Sequence, residues 1–409
     1  MKRVRRLLAA MASLALTGAL LALGAPPAAA APAESRATPH GHGACTATAP
    51  GSRLRRQGAA WSCLQVVGPA RAHAAGPARA GATDRAPADL CTDPSDDPVV
   101  STRHAYCTRE AVRYSLITNE NQEIGHALVA IVTPAQLSSS NAQWREDITV
   151  LVAEMTPNIP GVTLALSSTC SGQCIAGAPA WGGAPVVLGP DETKEGTLTY
   201  NSTVSGGAVS FIQPAYQVEG EILGAIPRHV NGSWSGPELR CDAQVGNGPG
   251  CIVMGHLANV TLPKSVYGAA AVAYEWAQKN LTTNNFGTAD KPLQRDADDT
   301  NAKNRRAQSC TLGPLPFKPD PTVTDDSCDE FPFAKSTQGG TNGSLCAEII
   351  PRQDSGVWSV KLVRGTLNAP CIRAHVPLNE NTGAGGELGR AVVADRIIDH
   401  EWYQVIITP

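Results

Sequence analysis

Cys328-Asp329-Glu330-Phe331-Pro332-Phe333-Ala334-Lys335-Ser336-Thr337-Gln338-Gly339-Gly340 sets two adjacent acids between a cysteine and an apolar Phe-Pro-Phe-Ala wedge, with a glycine pair behind it. The wedge wants burial, whereas Asp and Glu are rarely buried without a partner. Burying the wedge therefore holds both carboxylates at the edge of a core. Carboxylates held in place suit metal binding and proton transfer. The plainer reading of the same pair is a helix N-cap or a solvated turn.

A second acidic cluster follows downstream. Asn379-Glu380-Asn381 precedes the glycine-rich Thr382-Gly383-Ala384-Gly385-Gly386, then Glu387-Leu388-Gly389-Arg390. The glycines predict a loop, with a helix opening near Glu387 whose free N–H groups would face an anion such as phosphate. Trp402 to Thr408 predicts a strand. Lys303, Arg305, Arg306 and Arg390 are candidate phosphate contacts, or simply solvated surface. His375 and His400 invite a histidine base, but lone histidines are more often core or surface residues.

The 409 residues suffice for more than one domain. Lys2, Arg3, Arg5 and Arg6, an apolar run from Leu7 to Leu23 and small residues at Ala28 to Ala31 predict a signal peptide over 1–30 and a secreted, extracellular protein. No later segment reaches about 18 uninterrupted apolar residues, so no membrane association is expected after signal removal. All 12 cysteines lie beyond the signal, an even count that predicts disulfides, with Cys170–Cys174 and Cys241–Cys251 as local loops. Cys45 and Cys63 are read as a small knot, and Cys328 as disulfide-bonded with Cys310. No paired C-x-x-C spacing suggests zinc. A net charge of −3 excludes a whole-chain basic footprint for coating nucleic acid, but not a local patch.

Composition divides the rest. Residues 31–90, rich in Ala, Pro, Gly and Arg, read as a flexible leader. Residues 91–300 read as a disulfide-stapled, mostly β domain, with strands at 111–118, 124–132, 148–153, 162–166 and 208–212. It ends in a helix between Pro263 and Asn280, with Val266, Ala269, Ala270, Ala273, Tyr274, Trp276 and Ala277 as its apolar face. Neither a G-x-S-x-G, H-E-x-x-H, P-loop nor dinucleotide motif occurs. Residues 301–409 form the last domain.

At Cys328 to Ala334 with Gly339-Gly340, then Glu380-Asn381 with Gly383 to Gly389 and the closing strand, the chain resembles the NucA/NucB-type deoxyribonucleases. Asn304-Arg305 is similar to the family's approach to the motif. The resemblance covers about the last hundred residues and implies an α+β architecture whose C-terminal domain is a ββα metal-finger nuclease. It implies a secreted, metal-dependent, non-specific endonuclease that hydrolyses DNA phosphodiester bonds. Asp329 takes the place of the base that activates water, Glu330 supports it, and Asn381 orients a ligand or water. The implied cofactor is one divalent ion, Mg²⁺ or Mn²⁺, on Glu380, with Glu387 as the competing ligand. The partner is DNA, and no protein partner is evident. An Asp with a reference pKa of about 3.9 is a weak base at neutral pH, which loads more of the chemistry onto the metal. Arg390-Ala391-Val392 departs from the family pattern, and supports a rival: a degenerate nuclease fold that binds without cutting. A second rival makes the β-rich half a cell-wall or glycan-binding module.

Overall fold

A computed structural model describes residues 44–69, 85–222 and 230–409. The expected signal peptide lies outside the described residues. The architecture is α+β, mostly β with few helices. Burial alternates along 123–136 and 143–155, whereas 105–117 is buried along almost its whole length, and the three long strands are neighbours in an eight-stranded sheet. Its order is Ala44–Ala47, Trp61–Gly68, Ala105–Ile117, Glu123–Gln136, Gln143–Met155, Thr193–Ser202, Cys174–Ala176, and Val99–Ser101 pairs with Ala105–Ile117. The first two of these strands, tied by Cys45–Cys63, sit inside the stretch read as a flexible leader. A sheet of Val230–Ser235, Pro214–Ile222, Val162–Cys170 and Val186–Leu188 shares the apolar core with it.

A second core starts at Ala258, well before the boundary read at residue 301. It contains β1 (Ala258–Pro263), α1 (Lys264–Asn280), α2 (Asp299–Cys310), β2 (Asp326–Phe331), β3 (Ala347–Asp354), β4 (Val357–Arg364), β5 (Ile372–Pro377), α3 (Leu378–Ala394) and β6 (Trp402–Thr408). β6 pairs in parallel with β1. The other sheet runs β2-β5-β3-β4, with β2 on the edge, β2 and β5 antiparallel, and β5 and β3 parallel.

All 12 cysteines pair, as 45–63, 91–107, 170–174, 241–251, 310–328 and 346–371. These six bonds fit an oxidising, extracellular setting. Among the described residues, no helix is long and apolar enough to cross a membrane.

Two further sequence expectations change. The glycine-rich stretch 382–386 is not a loop. α3 begins at Leu378 and runs through it, because Ala384, Leu388 and Ala391 recur at helical spacing and bury against the second core. No helix start therefore stands at Glu387 to receive an anion. In α1, Val266 is exposed rather than core, because Gly268 breaks the helical phase at φ 42°. Tyr267 is buried before the break, and from Ala269 onward the buried residues follow the helical repeat.

Candidate active site

Side chains alternate across β2, so the two adjacent acids leave it on opposite faces. Ser327, Asp329 and Phe331 turn toward α1 and α3, where Asn381 reaches Ser327 and Tyr274 reaches Asp329. Cys328 and Glu330 turn toward α2, which contributes Cys310 to the disulfide and Arg306 to the carboxylate. Because β2 is an edge strand, one cleft wraps around it and reaches both acids. Its volume is about 400 Å³, and Tyr274, Arg306, Asp329, Glu330, Lys335 and Asn381 are among its lining residues.

Asp329 is 5% exposed. Its Oδ2 accepts the Tyr274 hydroxyl at 2.7 Å, and its Oδ1 accepts the Glu330 N–H at 2.8 Å. Burial pushes its pKa up to about 7, against the lowering pull of Tyr274, of that backbone N–H and of Arg306. Glu330 is pushed up to about 8, by burial first and by Asp329 next, while Arg306 Nε lies 3.7 Å from its Oε1. Burial thus sets this carboxyl apart from a free aspartate, whose reference pKa of about 3.9 lies well below neutrality.

The wedge behaves as the sequence implied. Phe331 is fully buried and stacks on Tyr274 at 5.3 Å, and Phe333 meets both rings edge-on at 5.0 Å. The glycine pair lets the chain fold back on it: a Cβ at Gly339 would lie 2.2 Å from the Phe333 carbonyl oxygen, and Gly340 has φ +85°.

The second cluster divides. Asn381 reaches the cleft, where its Nδ2 donates to Ser327 Oγ and to the Cys328 carbonyl, both at 3.0 Å. Glu380, one residue earlier on α3, points elsewhere. Its Oε2 accepts the Ala269 N–H at 2.5 Å, just past the Gly268 break, and so caps the continuous part of α1. Glu387 accepts the Tyr267 hydroxyl at 2.7 Å and pairs with Arg390 at 2.7 Å. Neither residue lines the cleft. A divalent ion at the cleft needs oxygens converging on it. Glu380 and Glu387, two turns apart on one face of α3, both turn to the start of α1 rather than into the cleft, and so do not fit as its ligands.

His375 is buried between Asp326, 2.6 Å from Nδ1, and Glu348, 3.1 Å from Nε2, under the Phe317 ring. Burial works against its charge, but the two carboxylates raise its pKa. It braces the sheet away from the cleft, and His400 is exposed on the surface. Of the candidate phosphate contacts, Arg306 lines the cleft, whereas Arg305 pairs with Asp296 at 2.7 Å and Arg390 with Glu387. Tyr274 and Ser327 escaped the sequence reading. Tyr274 gave no signal beyond being one more ring on the apolar face of an Ala-rich helix.

Residues 279–363 match the family model for Deoxyribonuclease NucA/NucB. The C-terminal part of the chain thus carries a NucA/NucB domain, which supports a nuclease with DNA as substrate. The matched segment includes Arg306, Asp329 and Glu330 and stops short of Asn381. No curated protein and no solved structure matches the chain.

Proposed function

We propose that this chain is a secreted, non-specific endonuclease that hydrolyses DNA phosphodiester bonds at the β2 cleft, with Asp329 as the base. The observation that carries the reading is a near-neutral carboxylate in an open cleft beside an arginine, inside the matched segment. Asp329 takes a proton from the attacking water, and the Tyr274 hydroxyl steadies the carboxylate that accepts it. Arg306, with a side chain 60% exposed, offers its guanidinium to a phosphate entering from solvent. Burial and the neighbouring Asp329 charge both raise the Glu330 pKa, so the pair resists carrying two negative charges toward a polyanion. Asn381 holds the strand at Ser327 and Cys328 and orients the water or phosphate. The antiparallel β2 and β5 running directly into α3 support the ββα reading of this domain.

A requirement for Mg²⁺ or Mn²⁺ belongs to the proposal, without Glu380 or Glu387 as ligands. The test is plasmid nicking by the oxidised, exported chain with either ion, with and without chelator. Chelator-sensitive nicking is expected. Binding of DNA by a folded sample that never nicks it would favour the degenerate rival, which the engagement of Glu380 and Glu387 elsewhere supports. Binding to cell walls without nuclease activity would favour the glycan-binding reading.

A further inference from the structure

The matched segment begins at residue 279, yet the only side-chain hydroxyl donating to Asp329 among the described residues comes from Tyr274, upstream of it. Tyr274 is held on every side. Its ring lies between Phe331 and Phe333, and it is 2% exposed. The helix that carries it is set by the Gly268 break and by Glu380, whose carboxylate receives the first N–H after the break. Gly268 has φ +42°, which favours glycine, and a Cβ there would lie 2.4 Å from that carboxylate and push it aside. Ala269 to Tyr274 is about one and a half helical turns. The cap on α3 therefore fixes where the phenol meets the acid.

We propose that Tyr274 is a positioning residue for Asp329, aiming its Oδ1 edge into the cleft and stabilising its ionised form, and that the catalytic unit therefore starts at α1 rather than at residue 279. This rests on the reading of Asp329 as the base. The charged and titratable groups facing Asp329 are few: Tyr274 from α1, Arg306 from α2, Glu330 from its own strand and Lys335 at the cleft rim. β5 places Ala374 opposite it, and the cleft-lining residues of α3 carry no charge. Tyr274 also resists ionisation, through burial and then the Asp329 charge, so it acts as a fixed donor and not as the base.

The experiment compares wild type, Tyr274→Phe and Asp329→Asn of the full chain in plasmid nicking from pH 5.5 to 9. Tyr274→Phe keeps the ring packing and removes only the hydroxyl. Losing a hydrogen bond to a charged group should move the acid limb up by about one to two pH units, with KM for DNA little changed. The rate then falls about ten- to a hundredfold at pH 6 and recovers by pH 9. An NMR titration of the Asp329 carboxyl carbon should show the same upward midpoint shift, independent of activity. An unmoved midpoint, or an equal loss of rate at every pH, would overturn the proposal. In wild type, the Tyr274 hydroxyl proton should be protected from exchange until Asp329 protonates, and an unprotected hydroxyl would also overturn it. Activity retained in Asp329→Asn sinks the base reading instead, and an inactive wild type sinks the nuclease reading.

Discussion

Asp329 and Glu146 are both buried acids that accept tyrosine hydroxyls, and their settings lead to different expectations. Asp329 opens onto a cleft, so its raised pKa is available to chemistry. Asp329→Asn should lower nicking about 10²- to 10⁴-fold, the range for losing a general base, with the melting temperature retained. Persistent nicking would place the base on another residue. Glu146 is enclosed in the β-rich core. Its Oε1 accepts Tyr106 at 2.6 Å and Tyr216 at 2.5 Å, and its Oε2 accepts Tyr200 at 3.0 Å. Burial still outweighs these donors and pushes it up to about 7. A carboxyl raised above its unfolded value of about 4.3 contributes stability that is full below that pH and lost as pH rises through about 7. Glu146→Gln mimics the protonated acid. We expect its urea midpoint to vary less than that of wild type between pH 5 and 8, and to match or exceed it at pH 8. A steeper pH dependence in the variant would show that the ionised form is the stable one.

At the scale of elements, the reassignment of Glu380 changes how α1 and α3 are understood. Both helices cover one face of β2, and one carboxylate couples them. Gly268→Ala adds a methyl where Glu380 stands and forces a left-handed φ on a residue with a Cβ. The expected cost is about 1–3 kcal/mol of stability, with nicking reduced through Tyr274, as read by thermal melts and plate assays on the same sample. Unchanged melting would mean that α1 is held by its apolar face alone. The positions of α1 and the closing strand were legible because Ala269, Ala270, Ala273 and Ala277 keep helical spacing and Trp402 to Thr408 is a dense β-forming run. α3 was half legible. Its glycines argue locally for a loop, and only the burial of Ala384, Leu388 and Ala391 overrides that preference.

In the whole molecule, the β-rich part and the part that carries the NucA/NucB match meet along a charged seam. Arg396 and Asp242 are both fully buried, joined by a two-pronged contact at 2.6 and 3.0 Å. Glu401 receives Arg240 at 2.7 Å and Arg103 at 2.6 Å, and Asp395 pairs with His104 at 2.8 Å. The seam runs through the segment after α3, so the β-rich half braces the helix that brings Asn381 to the cleft. Removing one partner of a buried pair strands the other charge. Arg396→Ala should therefore cost about 3–5 kcal/mol, measured by urea unfolding, whereas the exposed pair of Arg145 with Asp147 should cost under about 1 kcal/mol when broken. Comparable small losses would make the halves independent modules. The sequence by itself determined the disulfide-rich β character, the strand positions, the helix of α1 and the Asp329-Glu330 motif, because these rest on periodicity, cysteine parity and local composition. Only the tertiary structure decided which downstream residue joins that motif. Glu380 and Asn381 are neighbours in sequence but about 100° apart around a helix, so one caps α1 and the other enters the cleft. Tertiary burial also decided the near-neutral titration of Asp329, since desolvation depends on what packs around a carboxyl and not on the residues beside it in the chain.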